Sequence, residues 1–207
     1  MTNPLPPGPF ALIYADPPWQ TVSWNGAHRT PTSKRQADHY ATMSAADLKA
    51  MPVASIAAKN AHLAMWVIGS HLDQALDLGC AWGFTYVTDL FVWAKQRQLK
   101  PNQVDMFTDD VPPAPLGMGK HTRKQAETCL LFKRGKGLRV LDHSVAQLIV
   151  EPRREHSRKP DRVYGDLEKL YGYHPRVELF ARSTREGWSS WGNQVGKLGE
   201  AAKDQAA

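Results

Sequence analysis

Five short apolar runs, set apart by stretches with helical spacing, restrict what this chain can fold into more than any other feature. They are Phe10 to Ala15, Ala61 to Gly69, Thr85 to Ala94, Val145 to Val150 and Arg176 to Ala181, and each reads as a buried strand. Between them, Ser44 followed by Asp47 and Ser70 followed by Asp73 resemble the capping boxes that open helices. In the second of these helices Leu72, Ala75, Leu76 and Gly79 share one face. Pro160 suits a first helical turn, Val163, Leu167, Leu170 and Tyr171 supply the buried stripe after it, and Gly172 suits the stop. Strands alternating with helices predict an α/β fold, a mostly parallel sheet with helices on both faces. The 207 residues suit one domain, with a core over about 10–195 and a flexible C-terminal tail over 196–207. Gln20 to Tyr40 and Gln96 to Lys120 have no clear period, and stretches this long in a compact domain are functional or disordered.

Composition excludes several classes. No apolar run approaches the roughly 20 residues needed to cross a bilayer. Met1 to Pro9 is proline-rich, without the basic flank and apolar centre of a signal peptide. Cys80 and Cys129 are too few for a disulfide framework and too far apart for a zinc knuckle, and the eight histidines lack metal-ligand spacing. The expectation is a metal-free protein of the cytoplasm, the host's cytoplasm if a phage encodes it. Net charge is +6, and twelve of the 26 Lys and Arg residues fall within Met118 to Arg139 and Glu151 to Arg162. Such clustering suits phosphate contacts that release counterions; a solvated basic face is the plainer alternative.

Asp16-Pro17-Pro18-Trp19 follows the first strand directly, where open α/β sheets bind their ligands. These residue types match one chemical problem. The N6 amine of adenine is a poor nucleophile because its lone pair is delocalised into the ring. Methylation requires that nitrogen to pyramidalise and take on partial positive charge. A carboxylate (Asp16) and a backbone carbonyl (Pro17) can each accept one of its two N–H groups. The prolines fix φ and remove donors, so the turn presents acceptors in a rigid array. Trp19 offers a flat face for an extruded base, worth about 1–3 kcal/mol by analogy with single-strand binders. The competing reading is a turn with a buried tryptophan. Trp66, Trp82 and Trp93 lie in or beside apolar runs and read as core.

The sequence resembles the MT-A family of adenine N6-methyltransferases, in its bacterial or phage form, and the likeness extends well past this tetrapeptide. His39-Tyr40-Ala41-Thr42-Met43-Ser44, Ala64-Met65-Trp66-Val67, Ala81-Trp82-Gly83-Phe84 and Phe91-Val92-Trp93-Ala94-Lys95 match in order. Thr122-Arg123-Lys124-Gln125-Ala126-Glu127, Cys129-Leu130-Leu131, His156-Ser157-Arg158-Lys159-Pro160-Asp161, Glu178-Leu179-Phe180-Ala181-Arg182 and Trp191-Gly192-Asn193-Gln194 follow. The resemblance implies a Rossmann-like S-adenosylmethionine-dependent methyltransferase fold with permuted motif order, the catalytic motif first and the cofactor motifs last. No G-x-G-x-x-G follows any strand, which agrees.

By that resemblance Asp16, Pro17, Pro18 and Trp19 are catalytic. Lys159 holds the cofactor carboxylate, and Glu178 and Arg182 lie at the ribose. Asn193 and Gln194 bind the ribose and adenine end, and Asp16 touches the cofactor's amino group. Tyr40 resembles a gate between substrate and cofactor. Trp19, Lys120, Arg123, Lys124, Arg153 and Arg154 are the candidate substrate contacts. Plainer roles exist for several: Lys159 as part of the basic stretch, Glu178 paired with Arg182, Asn193 in a turn. DNA is the first expected substrate and RNA the alternative. A catalytically silent nucleic-acid-binding subunit is a third reading, and a homodimer is compatible with the sequence.

Overall fold

The computed structural model describes residues 3–20, 42–96, 121–122, 124–154 and 158–196. Its centre is one seven-stranded sheet. The strands are β1 (Phe10–Ala15), β2 (Ala57–Val67), β3 (Thr85–Gln96), β4 (Ala126–Arg134), β5 (Leu148–Pro152), β6 (Arg176–Leu179) and β7 (Ser189–Trp191). Their spatial order is β5-β3-β4-β2-β1-β6-β7. β1 runs parallel to β2 and β6, β6 to β7, and β3 to β5. β4 alone is reversed, lying antiparallel to both β2 and β3. The mostly parallel sheet is as the sequence predicts.

Helices cover both faces. On one side lie α1 (Ala45–Ala50), α2 (Val53–Ile56) and α3 (Leu72–Ala81); on the other lies α4 (Arg162–Tyr171). β1 shows why both faces must be covered, since it is buried along its whole length. Ile13 and Ala15 join Leu48, Ala75 and Leu78 in one core, while Leu12 and Tyr14 join Val163, Leu167 and Tyr171 in the other. That is the period-2 alternation of a strand buried on both sides. Trp66, Trp82 and Trp93 are core residues, as their apolar surroundings suggest.

Several local expectations shift. The second to fifth predicted strands differ from the observed ones by up to four residues at their ends. β4 and β7 have no counterpart among the five predicted runs. Ser44 caps α1, its hydroxyl accepting from the Asp47 amide at 3.1 Å. Ser70 does not cap α3: a 3-10 turn over Gly69–His71 precedes that helix, and the Ser70 hydroxyl bonds the His71 ring at 2.9 Å. The buried face of α3 is Ala75, Leu78 and Gly79, while Leu72 and Leu76 are exposed. At Gly79 a Cβ would sit 2.3 Å from the Phe132 ring, so the last turn of the helix lies close on the sheet. In α4 the predicted stripe holds, and Gly172 stops the helix at φ 78°, a left-handed value that favours glycine.

Because six strands share a direction, their carboxyl ends line one edge of the sheet. The turn after β1, the ends of β3, β6 and β7 and the start of the reversed β4 all meet there. No helix among the described residues is long and apolar enough to cross a membrane.

Candidate active site

The turn after β1 is tied down by backbone bonds. The Trp19 amide donates to the Pro17 carbonyl at 2.8 Å, and the Met43 amide donates to the Pro18 carbonyl at 3.0 Å. A carbonyl oxygen has two lone pairs, so Pro17 keeps one acceptor site beyond its bond to Trp19. Trp19 is only 4% exposed, packed in the core, with its indole N–H donating to the Trp66 carbonyl at 3.2 Å. The base-stacking role read from the sequence is therefore corrected. With its face covered and its one donor engaged, Trp19 braces the turn from below.

Asp16 keeps 26% of its side chain exposed, and the Lys159 ammonium bonds its Oδ2 at 2.6 Å. Lys159 also meets Glu127 Oε2 at 3.3 Å, and Lys95 bonds the other oxygen of Glu127. Four alternating charges thus run along the carboxyl edge: Asp16, Lys159, Glu127, Lys95. Lys159 lies 5.6 Å from the centre of the Trp66 ring as well, a cation–π contact that further fixes the ammonium. Burial pushes the Asp16 carboxyl above its ordinary range, against the pull of Lys159. Burial also acts against both other groups, but the ion pairs win. Lys159 is raised by Asp16 and Glu127, and Glu127 is lowered to about 2 by Lys159 and Lys95. The lysine therefore stays charged while Asp16 has heightened affinity for a proton or an N–H donor.

Glu178 stands on β6, 9% exposed. Burial pushes its carboxyl up to about 7, with the nearby Asp16 adding to the shift and the hydrogen bond from the Tyr164 hydroxyl opposing it. Its Oε2 is buried and has no partner among the described residues, and the same holds for Ser190 Oγ and Gln194 Oε1. Glu178 and Ser190 are register partners on β6 and β7. At Gly192 a Cβ would lie 2.5 Å from the Ala181 carbonyl, so only glycine lets the end of β7 lie against the Phe180–Ala181 backbone. Arg182 lies close enough to act on the Asp16 carboxyl.

Among the other sequence candidates, Asn193, Lys124, Arg153 and Arg154 are exposed. Arg154 pairs with Asp161 and lies 3.7 Å from Glu151. Tyr40, Lys120 and Arg123 lie outside the described residues. No cluster of side chains suited to a metal occurs among the described residues. Sequence reasoning gave no role to Glu127 or Lys95, although both stand where an apolar strand meets the site edge. Oppositely charged residues at the ends of neighbouring strands were the available signal.

An open α/β sheet whose polar side chains gather where parallel strands end is a Rossmann-like ligand-binding architecture. Here the carboxylate turn comes first in the chain and the buried acceptors last. The MT-A70 family model matches residues 10–194, and the chain belongs to that family of S-adenosylmethionine-dependent methyltransferases. It is 30% identical over 211 residues to the type II methyltransferase M.MunI of Mycoplasma sp, covering 92% of this chain and 80% of that protein. It is 30% identical over 195 residues to the human N(6)-adenine-specific methyltransferase METTL4, covering 91% of this chain and 38% of the relative. The human N(6)-adenosine-methyltransferase catalytic subunit METTL3 is 25% identical over 190 residues, 91% of this chain and 28% of the relative.

Proposed function

We propose that this protein transfers a methyl group from S-adenosylmethionine to the N6 amine of adenine in DNA, with a single domain over residues 1–207 as the catalytic unit. The observation that carries the reading is the Asp16 carboxylate, partly exposed at the tip of β1 and held by Lys159 at 2.6 Å. The name of the mycoplasma relative supports a methyltransferase, and that of human METTL4 supports one acting on the N6 of adenine.

The residues present suit the cofactor. Buried oxygens of Glu178 and Gln194 without partners are costly by about 1–3 kcal/mol each, and a ribose diol supplies the missing donors. Arg182 and the exposed Asn193 complete that side. Lys159 suits the cofactor's carboxylate and Asp16 its amino group. When bound, S-adenosylmethionine provides an electrophilic methyl carbon on a cationic sulfur.

The chain's own part is to make a reluctant amine reactive. Asp16 accepts one N–H of the adenine amine, and the free lone pair of the Pro17 carbonyl accepts the other. Together they favour the pyramidal nitrogen and stabilise the positive charge that develops on it. The raised proton affinity of Asp16 suits it to that role. Lys159, secured by Glu127, keeps the carboxylate from turning away. Lys124, Arg153 and Arg154 are exposed cations suited to the nucleic-acid backbone. A duplex substrate requires the adenine to be flipped out of the stack.

The test is expression in a methylation-deficient host, followed by nucleoside mass spectrometry of its DNA and assays on matched DNA and RNA oligonucleotides. N6-methyladenine in DNA is the expected product. Transfer to RNA alone, or to neither, overturns the reading.

A further inference from the structure

Of the four charges along the sheet edge, Lys95 stands furthest along the chain of contacts from Asp16, yet it is closely held. Only 19% of its side chain is exposed. Its backbone amide donates to the Gln125 carbonyl at 2.8 Å, and its ammonium lies 5.1 Å from the centre of the Trp93 ring. That ring is fixed in turn, its indole N–H donating to the Glu151 carbonyl at 3.0 Å. Ordering so long a side chain costs conformational entropy, and the ammonium is given over to one carboxylate, Glu127.

The position of Lys159 shows what that arrangement achieves. Lys95 bonds Oε1 of Glu127, while Lys159 has Oε2 at 3.3 Å and stands 2.6 Å from Asp16. Asp16 keeps 26% of its side chain exposed and Glu127 only 17%. An ammonium offered both carboxylates on equal terms would favour the less hydrated one, where attraction is less screened. Here it stands closer to the more hydrated one. A carboxylate already answered by one ammonium pulls less on a second, so Lys95 leaves Lys159 to Asp16.

We propose that Lys95 is a positioning residue: it engages Glu127 so that Lys159 stays against Asp16 and holds that carboxylate ready for the adenine amine. This rests on the adenine methyltransferase reading above and gives Lys95 a part in the same reaction, exerted through Glu127 and Lys159.

The test is the pH dependence of single-turnover methyl transfer to an adenine-containing DNA oligonucleotide and its RNA counterpart. Saturating S-adenosylmethionine keeps changes of cofactor affinity out of the rate. On the acid side the rate falls as Asp16 takes up a proton. Among the described residues, the charged and titratable groups acting on or with Asp16 are Lys159, Arg182, Glu127, Glu178, Tyr14 and Cys129. Lys159 and Arg182 favour its ionised form, and Glu127 opposes it. In Lys95→Met, Lys159 is drawn toward Glu127, so the acid limb is expected to move up by about half a pH unit to one unit. In Glu127→Gln the opposing charge is gone and the limb is expected to move down. The double variant is expected to follow Glu127→Gln, because Lys95 acts only through that carboxylate. Lys95→Arg keeps the charge beside Glu127 and is expected to keep the wild-type limb. Thermal melting checks each variant; if Lys95→Met does not fold, Lys95→Gln, which still donates an N–H, takes its place. An unmoved limb overturns the proposal, as does a shift of equal size with and without Glu127. If wild type methylates RNA but not DNA, the DNA reading fails while Lys95 is judged on the RNA profile. If it methylates neither, both fall.

Discussion

The Asp16 carboxylate and Lys159 are a unit, but the lysine has a second anchor. Asp16→Asn keeps the shape of the side chain and removes its charge, while Glu127 still holds Lys159 at 3.3 Å. The expected outcome is a folded protein with S-adenosylmethionine affinity weakened by the lost charge opposite the cofactor's amino group and kcat at saturating cofactor lower by about a hundredfold. Radiolabelled methyl transfer and calorimetry measure the two. Glu178 makes a prediction in pH. Its carboxyl is raised from 4.5 to about 7, so the fold prefers the protonated form. Below pH 4.5 folded and unfolded chains are both protonated at this group, and nothing is lost. Between 4.5 and 7 the unfolded chain ionises first and stability falls, by roughly 3 kcal/mol in all; above 7 the penalty is constant. Ribose hydroxyls donate to the ionised form, so cofactor affinity should strengthen from pH 5.5 to 7.5 and then level. In Glu178→Gln both dependences should flatten. Calorimetry and thermal melts across that range decide. At this scale the sequence was most legible at Asp16 and Lys159, two charged candidates far apart in the chain that the structure brings to 2.6 Å. It was least legible at Trp19, since an aromatic beside a carboxylate reads alike whether it faces a ligand or the core.

Elements were legible where both local signals and burial agreed. β1 and α4 fall where predicted because their apolar residues keep one period throughout. β4 was missed because strand–helix alternation presumes a helix between strands, whereas β3 and β4 pair directly as antiparallel neighbours. Its buried centre, Cys129 to Phe132, is only four residues bracketed by charges. In α3 the spacing placed Leu72 and Leu76 with Ala75 and Gly79, but only Ala75 and Gly79 are buried; Leu72 is the first residue of the helix, nearly two turns from the close contact at Gly79. That contact is testable. Alanine is better than glycine in a helix by about 1 kcal/mol. At position 79 its Cβ would fall 2.3 Å from a Phe132 ring that is fully buried and cannot withdraw. Overpacking at about 1–3 kcal/mol outweighs the propensity gain, so Gly79→Ala should lower Tm, and adding Phe132→Leu should recover part of the loss.

For the molecule as a whole, the sequence conveyed the class of sheet and the order of its motifs, because alternating runs and a carboxylate turn are both local patterns. Strand order is not local. Neither the reversed strand inside the sheet nor the charge chain along its edge is written in any one stretch. Reversal has a consequence for how such a protein can diversify. The Lys95 amide donates to the Gln125 carbonyl at 2.8 Å, so the departing and returning chains are fastened together at the rim beside Asp16 and Lys159. Closing a longer bridge between two fixed posts costs little, about 0.6 kcal/mol for each doubling of length. The clasp at the rim thus uncouples the placing of Asp16, Lys159, Glu127 and Lys95 from the length of chain that joins β3 to β4.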